Sequence, residues 1–308
     1  MRADRTWLVA LAACLWGSSA LLREPLVGVL DASTIVLYEH IFIVAVLSPW
    51  ALPALRAWAK APPRVRAASV IIGAGSSALA TTLFTAAFAY GDPITPQVLQ
   101  KLQPLVALAL AAVLLGERLR PRYALFAVPA LIGAWMLSFD SPFSVAVADA
   151  QAAAFALGAA TLWAGGTVLG RLVGSDLGPR DTLVLRFVFG LPAAALIVAV
   201  LGAGWTLPLS QAPSLVLLAL VPGLLALGLY YLGLARTAAS RATLAELMFP
   251  VTAAIVGVTM LDATLSESRW TGLVIVVISI TALAWNENRA ATTAVKIDPT
   301  KIGKQISA

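Results

Sequence analysis

Leu15-Trp16 recurs as Leu162-Trp163, Tyr38-Glu39-His40 answers to Leu185-Arg186-Phe187, and Leu102-Gln103-Pro104 answers to Met248-Phe249-Pro250. The offsets are 147, 147 and 146 residues. Three pairings at one offset predict a chain written twice. Each copy carries an odd number of apolar spans, so the second must lie in a bilayer the opposite way up to the first. That is the inverted-repeat plan of secondary transporters, which place a site at the midplane between the halves.

The composition excludes a soluble fold. Of 308 residues, 60% are hydrophobic and 12% charged, where a soluble domain is about a quarter charged. Mean hydropathy is +0.90. A spanning helix needs about 20 apolar residues, and ten such segments are legible: 6–22, 32–55, 68–90, 94–115, 121–139, 148–172, 181–201, 214–236, 242–261 and 269–286. The expected fold is therefore all-α and integral to the membrane, with ten helices in two inverted five-helix repeats around a central cavity. Residues 1–139 form the first repeat, 140–147 an outer connector, 148–286 the second repeat and 287–308 a cytoplasmic tail. These segments leave no room for a soluble catalytic domain, and no phosphate-binding loop appears. Arg2 and Arg5 ahead of an apolar run resemble a signal peptide, but the Leu15-Trp16 echo argues for a retained first span. Cys14, the single cysteine, sits in an apolar helix and reads as a small hydrophobe.

Basic residues set the expected orientation. With the N-terminus inside, 17 of the 21 lysines and arginines fall on the cytoplasmic side, and only Arg23 and Arg269 fall outside. This bias is the positive-inside signal. It puts both termini in the cytoplasm, and it accounts for the net charge of +6 without a nucleic-acid partner.

Ionisable groups inside a bilayer are costly and default to a functional reading. Here they are Glu39, His40, Lys101, Arg186 and Glu246. Glu39, His40 and Lys101 lie about eight residues in from the outer face, or ~12 Å. Depth then allows two opposite-charge pairs, Glu39 with Lys101 and Arg186 with Glu246, one toward each face. Each pair either gates its side of a cavity or is a static strut, and Arg186 alone has a snorkelling alternative. Gln97, Gln100 and Lys101 share a helix face by their i, i+3, i+4 spacing and are expected to line water or substrate. Thr82 and neighbouring serines and threonines are weaker candidates, because such hydroxyls often bond their own helix. Trp16 and Trp163 fall mid-span, and Tyr38 and Tyr230 also lie within spans. Aromatic walls of this kind take flat or cationic organic molecules, although core packing explains them equally well.

Enzyme readings have little to stand on. One histidine excludes a His-rich metal site, and no pair of intramembrane aspartates offers a protease dyad. No catalytic residue, metal or cofactor is expected. A passive channel is a lesser alternative, because the duplication favours rocking access without proving it.

The ensemble of Ala13-Cys14-Leu15-Trp16-Gly17, its echo Leu162-Trp163-Ala164, Gln103-Pro104 with the run to Gly116-Glu117-Arg118-Leu119, and Leu185-Arg186-Phe187 resembles the drug/metabolite transporter superfamily in its ten-span EamA-type branch. The likeness covers residues 6–286. Within the branch the chain is most similar to YddG-type exporters. The second half departs from the pattern, with Asp262-Ala263-Thr264-Leu265 in place of Gly-Glu-Arg-Leu, and Phe249 rather than an acid before Pro250. The resemblance implies a helical basket exporting amino acids, aromatic and other neutral ones, or similar metabolites by alternating access. A multidrug exporter of hydrophobic cations is the alternative. The implied partners are a small-molecule substrate and the lipid bilayer, and a monomer is compatible with this plan.

Overall fold

The computed structural model describes residues 5–90, 92–103, 105, 106, 109, 124–138, 147–234, 245, 246 and 248–297. Among these the chain is helical throughout its regular structure. Helix α1 (Thr6–Gly17) and α2 (Ala20–Val27) form one span broken at Ser18-Ser19. Next come α3 (Ala32–Lys60) and α4 (Pro63–Ile71), the latter started by a proline in its first turn, where a missing N–H costs nothing. After α4 the backbone widens into a π-helical segment, Ile72–Leu79, and continues as α5 (Ala80–Ala87). Helix α6 (Ile94–Leu99) tightens into a 3-10 turn, Gln100–Leu102. Then follow α7 (Ala124–Ser138) and α8 (Val147–Leu201). Within α8 the backbone turns at Gly178, whose φ of 77° only glycine adopts without strain, and Pro179 restarts the helix. The second half ends with α9 (Ala212–Leu218), a second π-helical segment (Ala219–Leu225), α10 (Ala226–Leu234), α11 (Met248–Met260) and α12 (Glu267–Ile297).

Among the described residues six helices are long and apolar enough to cross a membrane: Thr6–Val27, Ala32–Lys60, Pro63–Ala87, Val147–Gly170, Leu172–Leu201 and Leu209–Tyr230. Leu125–Leu137 and Met248–Met260 are shorter apolar helices. Outward faces remain apolar, as at Leu125, Leu131, Leu196, Val200 and Ile278, all exposed. Such faces suit hydrocarbon rather than water. Beyond residue 286, where the tail was expected, α12 runs on as helix to Ile297. The expected loop at Gly116–Arg122 and most of the 140–147 connector lie outside the described residues.

With apolar residues on every side, these helices associate through small residues rather than amphipathic stripes. Gly133 and Gly272 bring α7 and α12 into backbone contact: a Cβ on Gly272 would lie 2.5 Å from the Gly133 carbonyl oxygen. Gly17 seats α1 on α11, its Cβ position 2.6 Å from the Phe249 oxygen, and Gly233 seats α10 on α1 at Val9. The first part of α8 lies instead on α5, where Ala159, Leu162 and Trp163 meet Phe84 and Phe88. So α1, from the first half of the chain, packs on the second half, and the start of α8 packs on the first.

Candidate solute site

Close approach at Gly17 carries the neighbouring Trp16 to α10. There its ring lies 5.2 Å from that of Tyr230, tilted by 49°, and its indole N–H donates to the Pro222 carbonyl at 2.9 Å. The Tyr230 hydroxyl donates to Glu246 Oε1 at 2.7 Å. Lys101 places its ammonium 4.2 Å from the centroid of the Phe249 ring, a cation–π distance. Glu246 lies three residues before Phe249 in the chain. Trp16, Tyr230, Glu246 and Lys101 are all half-buried. One anion, one cation and several aromatic faces thus converge from α1, α10, α11, Glu246 and the turn after α6.

The other candidates are engaged elsewhere. Glu39 does not pair with Lys101. Its partner is Arg23, at 2.7 Å, and both side chains are 8% exposed. Arg23 is no outer-loop charge: α2 carries it into the interior, where it also donates to the Thr85 hydroxyl and lies over the Phe84 ring. Phe84 in turn meets Trp163 at 5.3 Å. His40 is 2% exposed, with Nδ1 2.8 Å from the Val36 oxygen and Nε2 2.9 Å from the Ser77 hydroxyl. Both ring nitrogens are therefore bonded to protein. Tyr38 donates to the Trp205 carbonyl at 2.9 Å and anchors the loop before α9. Thr82 bonds back to Ala78 in its own helix, the bland alternative for such residues. Gln97 donates to the Pro93 carbonyl. Gln97 and Gln100 each keep a buried amide oxygen without a hydrogen-bond partner among the described residues. Arg186 donates to the Ser76 carbonyl at 3.0 Å, so it is held within the protein rather than reaching for the interface.

The model of the EamA-like transporter family matches residues 6–139 and 150–285. The chain belongs to the EamA-like transporter family. It is accordingly an integral membrane protein that handles a small molecule. The riboflavin transporter ImpX of Fusobacterium nucleatum is 26% identical over 285 residues, covering 89% of this chain and 95% of that one. The uncharacterized transporter YwfM of Bacillus subtilis is 27% identical over 181 residues, 59% of this chain and 60% of YwfM. A protein known from its crystal structure shares the fold with a TM-score of 0.60 at 21% identity, over 91% of this chain and 98% of that one.

Sequence reasoning missed several groups of this EamA-like transporter. Arg269, expected outside, is 5% exposed and bonds Asp92 at 2.7 Å and Asp149 at 3.2 Å. Asp92 also accepts from the backbone N–H groups of Ile94 and Thr95 and so caps α6. An Asp-Pro step followed by an apolar run was the available signal. Phe249 stood out only as a departure from the family pattern, yet it supplies the ring beneath Lys101.

Proposed function

We propose that this EamA-like transporter moves a small organic solute with a flat or aromatic ring by alternating access. The observation that carries the reading is the Trp16–Tyr230–Glu246 chain beside Lys101 on Phe249. Aromatic faces hold a ring by apolar contact and stacking. Glu246 and Lys101 supply opposite charges for an ammonium and a carboxylate, which makes an aromatic or other neutral amino acid the leading solute. Export from the cytoplasm across a bacterial inner membrane, with both termini cytoplasmic, and kinship with YddG-type exporters are parts of the same proposal.

Ten spans in two inverted halves provide the moving parts. Two reciprocal contacts support that plan. Trp16 bonds the π-helical segment Ala219–Leu225 through Pro222, while the Ser76 hydroxyl of Ile72–Leu79 bonds the Leu162 carbonyl, next to Trp163, at 2.7 Å. Each Leu-Trp step thus grips the π-helical segment of the opposite half. The family match to two stretches of similar length supports the same plan.

A second reading is riboflavin. It rests on ImpX, which aligns over 95% of its length, and on the aromatic faces, which suit a flat polycyclic ring. Counterflow in liposomes separates the two. Labelled phenylalanine that enters protein-containing liposomes and is displaced by unlabelled phenylalanine supports the amino-acid reading. Labelled riboflavin behaving so in its place supports the second. Movement of neither removes both. Trp16→Ala is expected to lower the active counterflow at least ~10-fold, since stacking contributes on the order of 1 kcal/mol beyond the lost apolar contact.

A further inference from the structure

Glu246 among aromatic rings is the chemistry that recognises an organic cation: a carboxylate to balance charge and ring faces to attract it. In this protein a cation already occupies that environment. The Lys101 ammonium stands 4.2 Å from the Phe249 centroid, and Glu246 lies three residues before Phe249 in the chain. Glu246 is in turn oriented by the Tyr230 hydroxyl at 2.7 Å, and Tyr230 is set by Trp16.

We propose that Lys101 is a tethered cation that fills the acid–aromatic site and sets its specificity, excluding free organic cations and admitting zwitterions and neutral ring compounds. The inference rests on reading this cluster as the solute site. Its reason is charge balance in a medium of low dielectric. Glu246 and Lys101 sum to zero. A free cation entering here must push Lys101 off the ring and leave two cations to share one carboxylate, an uncompensated buried charge. A free anion leaves the opposite excess. A zwitterion alone can place its carboxylate on Lys101 and its ammonium on Glu246 with no net change, and an uncharged ring can stack without disturbing the pair. Hydrophobic-cation export, the alternative left open beside the family resemblance, is then closed by one side chain.

Tetraphenylphosphonium binding to the full-length protein in nanodiscs, read by quenching of tryptophan fluorescence, tests this. Wild-type protein is expected to show no saturable binding up to about 1 mM. Lys101→Gln keeps a polar side chain of similar length without the charge and is expected to bind at least ~10-fold more tightly. Lys101→Met is the second variant, for use where the glutamine disturbs folding. In the Lys101→Gln, Glu246→Gln double variant the gain is expected to vanish, because the carboxylate that attracts the probe is gone. Wild-type binding tighter than about 10 µM overturns the proposal without any variant. So does unchanged affinity in both Lys101 variants, and so does a gain that survives Glu246→Gln. The phenylalanine and riboflavin counterflow of the wild type is a separate readout. Absent counterflow with a present cation gain removes phenylalanine and riboflavin as the solutes and leaves the role of Lys101 in this site standing.

Discussion

Two π-helical segments, Ile72–Leu79 and Ala219–Leu225, begin 147 residues apart, the same offset that separates Leu15-Trp16 from Leu162-Trp163. They are held in different ways. Ile72–Leu79 reads Ile-Gly-Ala-Gly-Ser-Ser-Ala-Leu and buries five residues, Ile72, Gly73, Ser76, Ser77 and Ala78. Its Ser76 carbonyl accepts from Arg186, its Ser76 hydroxyl donates to Leu162, and its Ser77 hydroxyl meets His40. Glycines on α8 seat it: a Cβ on Gly166 would lie 2.5 Å from the Ser76 Cβ, and one on Gly190 would lie 2.7 Å from the His40 ring. Ala219–Leu225 reads Ala-Leu-Val-Pro-Gly-Leu-Leu and buries only Ala219 and Pro222. The bond from Trp16 to Pro222 ties it to α1, and an open apolar surface groove runs along Leu217, Leu220 and Val221. Their causes differ as well. Pro222 lacks the N–H that would bond residue 218, so the second turn widens through a missing donor. The first has no proline, and there the widened turn presents a carbonyl to a charged donor. The contrast teaches that, of two halves matched by one family model, one can keep a backbone irregularity as a polar lock while the other keeps it as a looser, apolar joint.

Four substitutions and one matched control sharpen or break that contrast, each read as unfolding free energy in a detergent titration. Gly166→Ala is expected to cost the most, about 2–3 kcal/mol, because the new Cβ meets Ser76 at its own Cβ and the two helices must separate. Gly228→Ala, with nothing within 4 Å of its Cβ position, is the matched control and should cost nothing. Arg186→Met follows at about 1.5–3 kcal/mol, through loss of a charge-assisted bond to the Ser76 carbonyl. Trp16→Phe keeps an aromatic ring facing Tyr230 but loses part of the indole's contact area and the bond to Pro222, so about 1–2 kcal/mol is expected. Gly223→Ala comes last, within about 0.5 kcal/mol of wild type, since the nearest side-chain atom is the flexible end of Ile43 at 3.3 Å. Equal costs for Gly166→Ala and Gly223→Ala would erase the distinction between lock and joint.

Some of the site was legible before any coordinates. Trp16, Tyr230, Glu246 and Lys101 were singled out as aromatic or ionisable groups within spans, and the structure assembles them. The partners were not legible. Glu39 was matched with Lys101 because they lie at one depth, and depth says nothing of direction around a helix axis. Arg23 was placed outside because the apolar run stops at Leu22, but α2 carries the helix on to Val27 and turns Arg23 inward to Glu39. Tyr38 and His40 lie within the same span as Glu39, yet one bonds the loop at Trp205 and the other the π-helical segment at Ser77.

The sequence by itself determined what the bilayer imposes along its normal: helical apolar spans, a duplication at one offset and a family that matches both halves. Those follow from the cost of moving polar groups into hydrocarbon, which depends on residue type and position along the chain. Tertiary structure alone decided which side chains meet, namely Arg23 with Glu39, Lys101 over Phe249 and Arg269 between Asp92 and Asp149. Helices apolar on every side carry no stripe to say which face turns inward. Their neighbours are chosen by the close approach of small residues such as Gly17, Gly133 and Gly166, a matter of shape between distant segments.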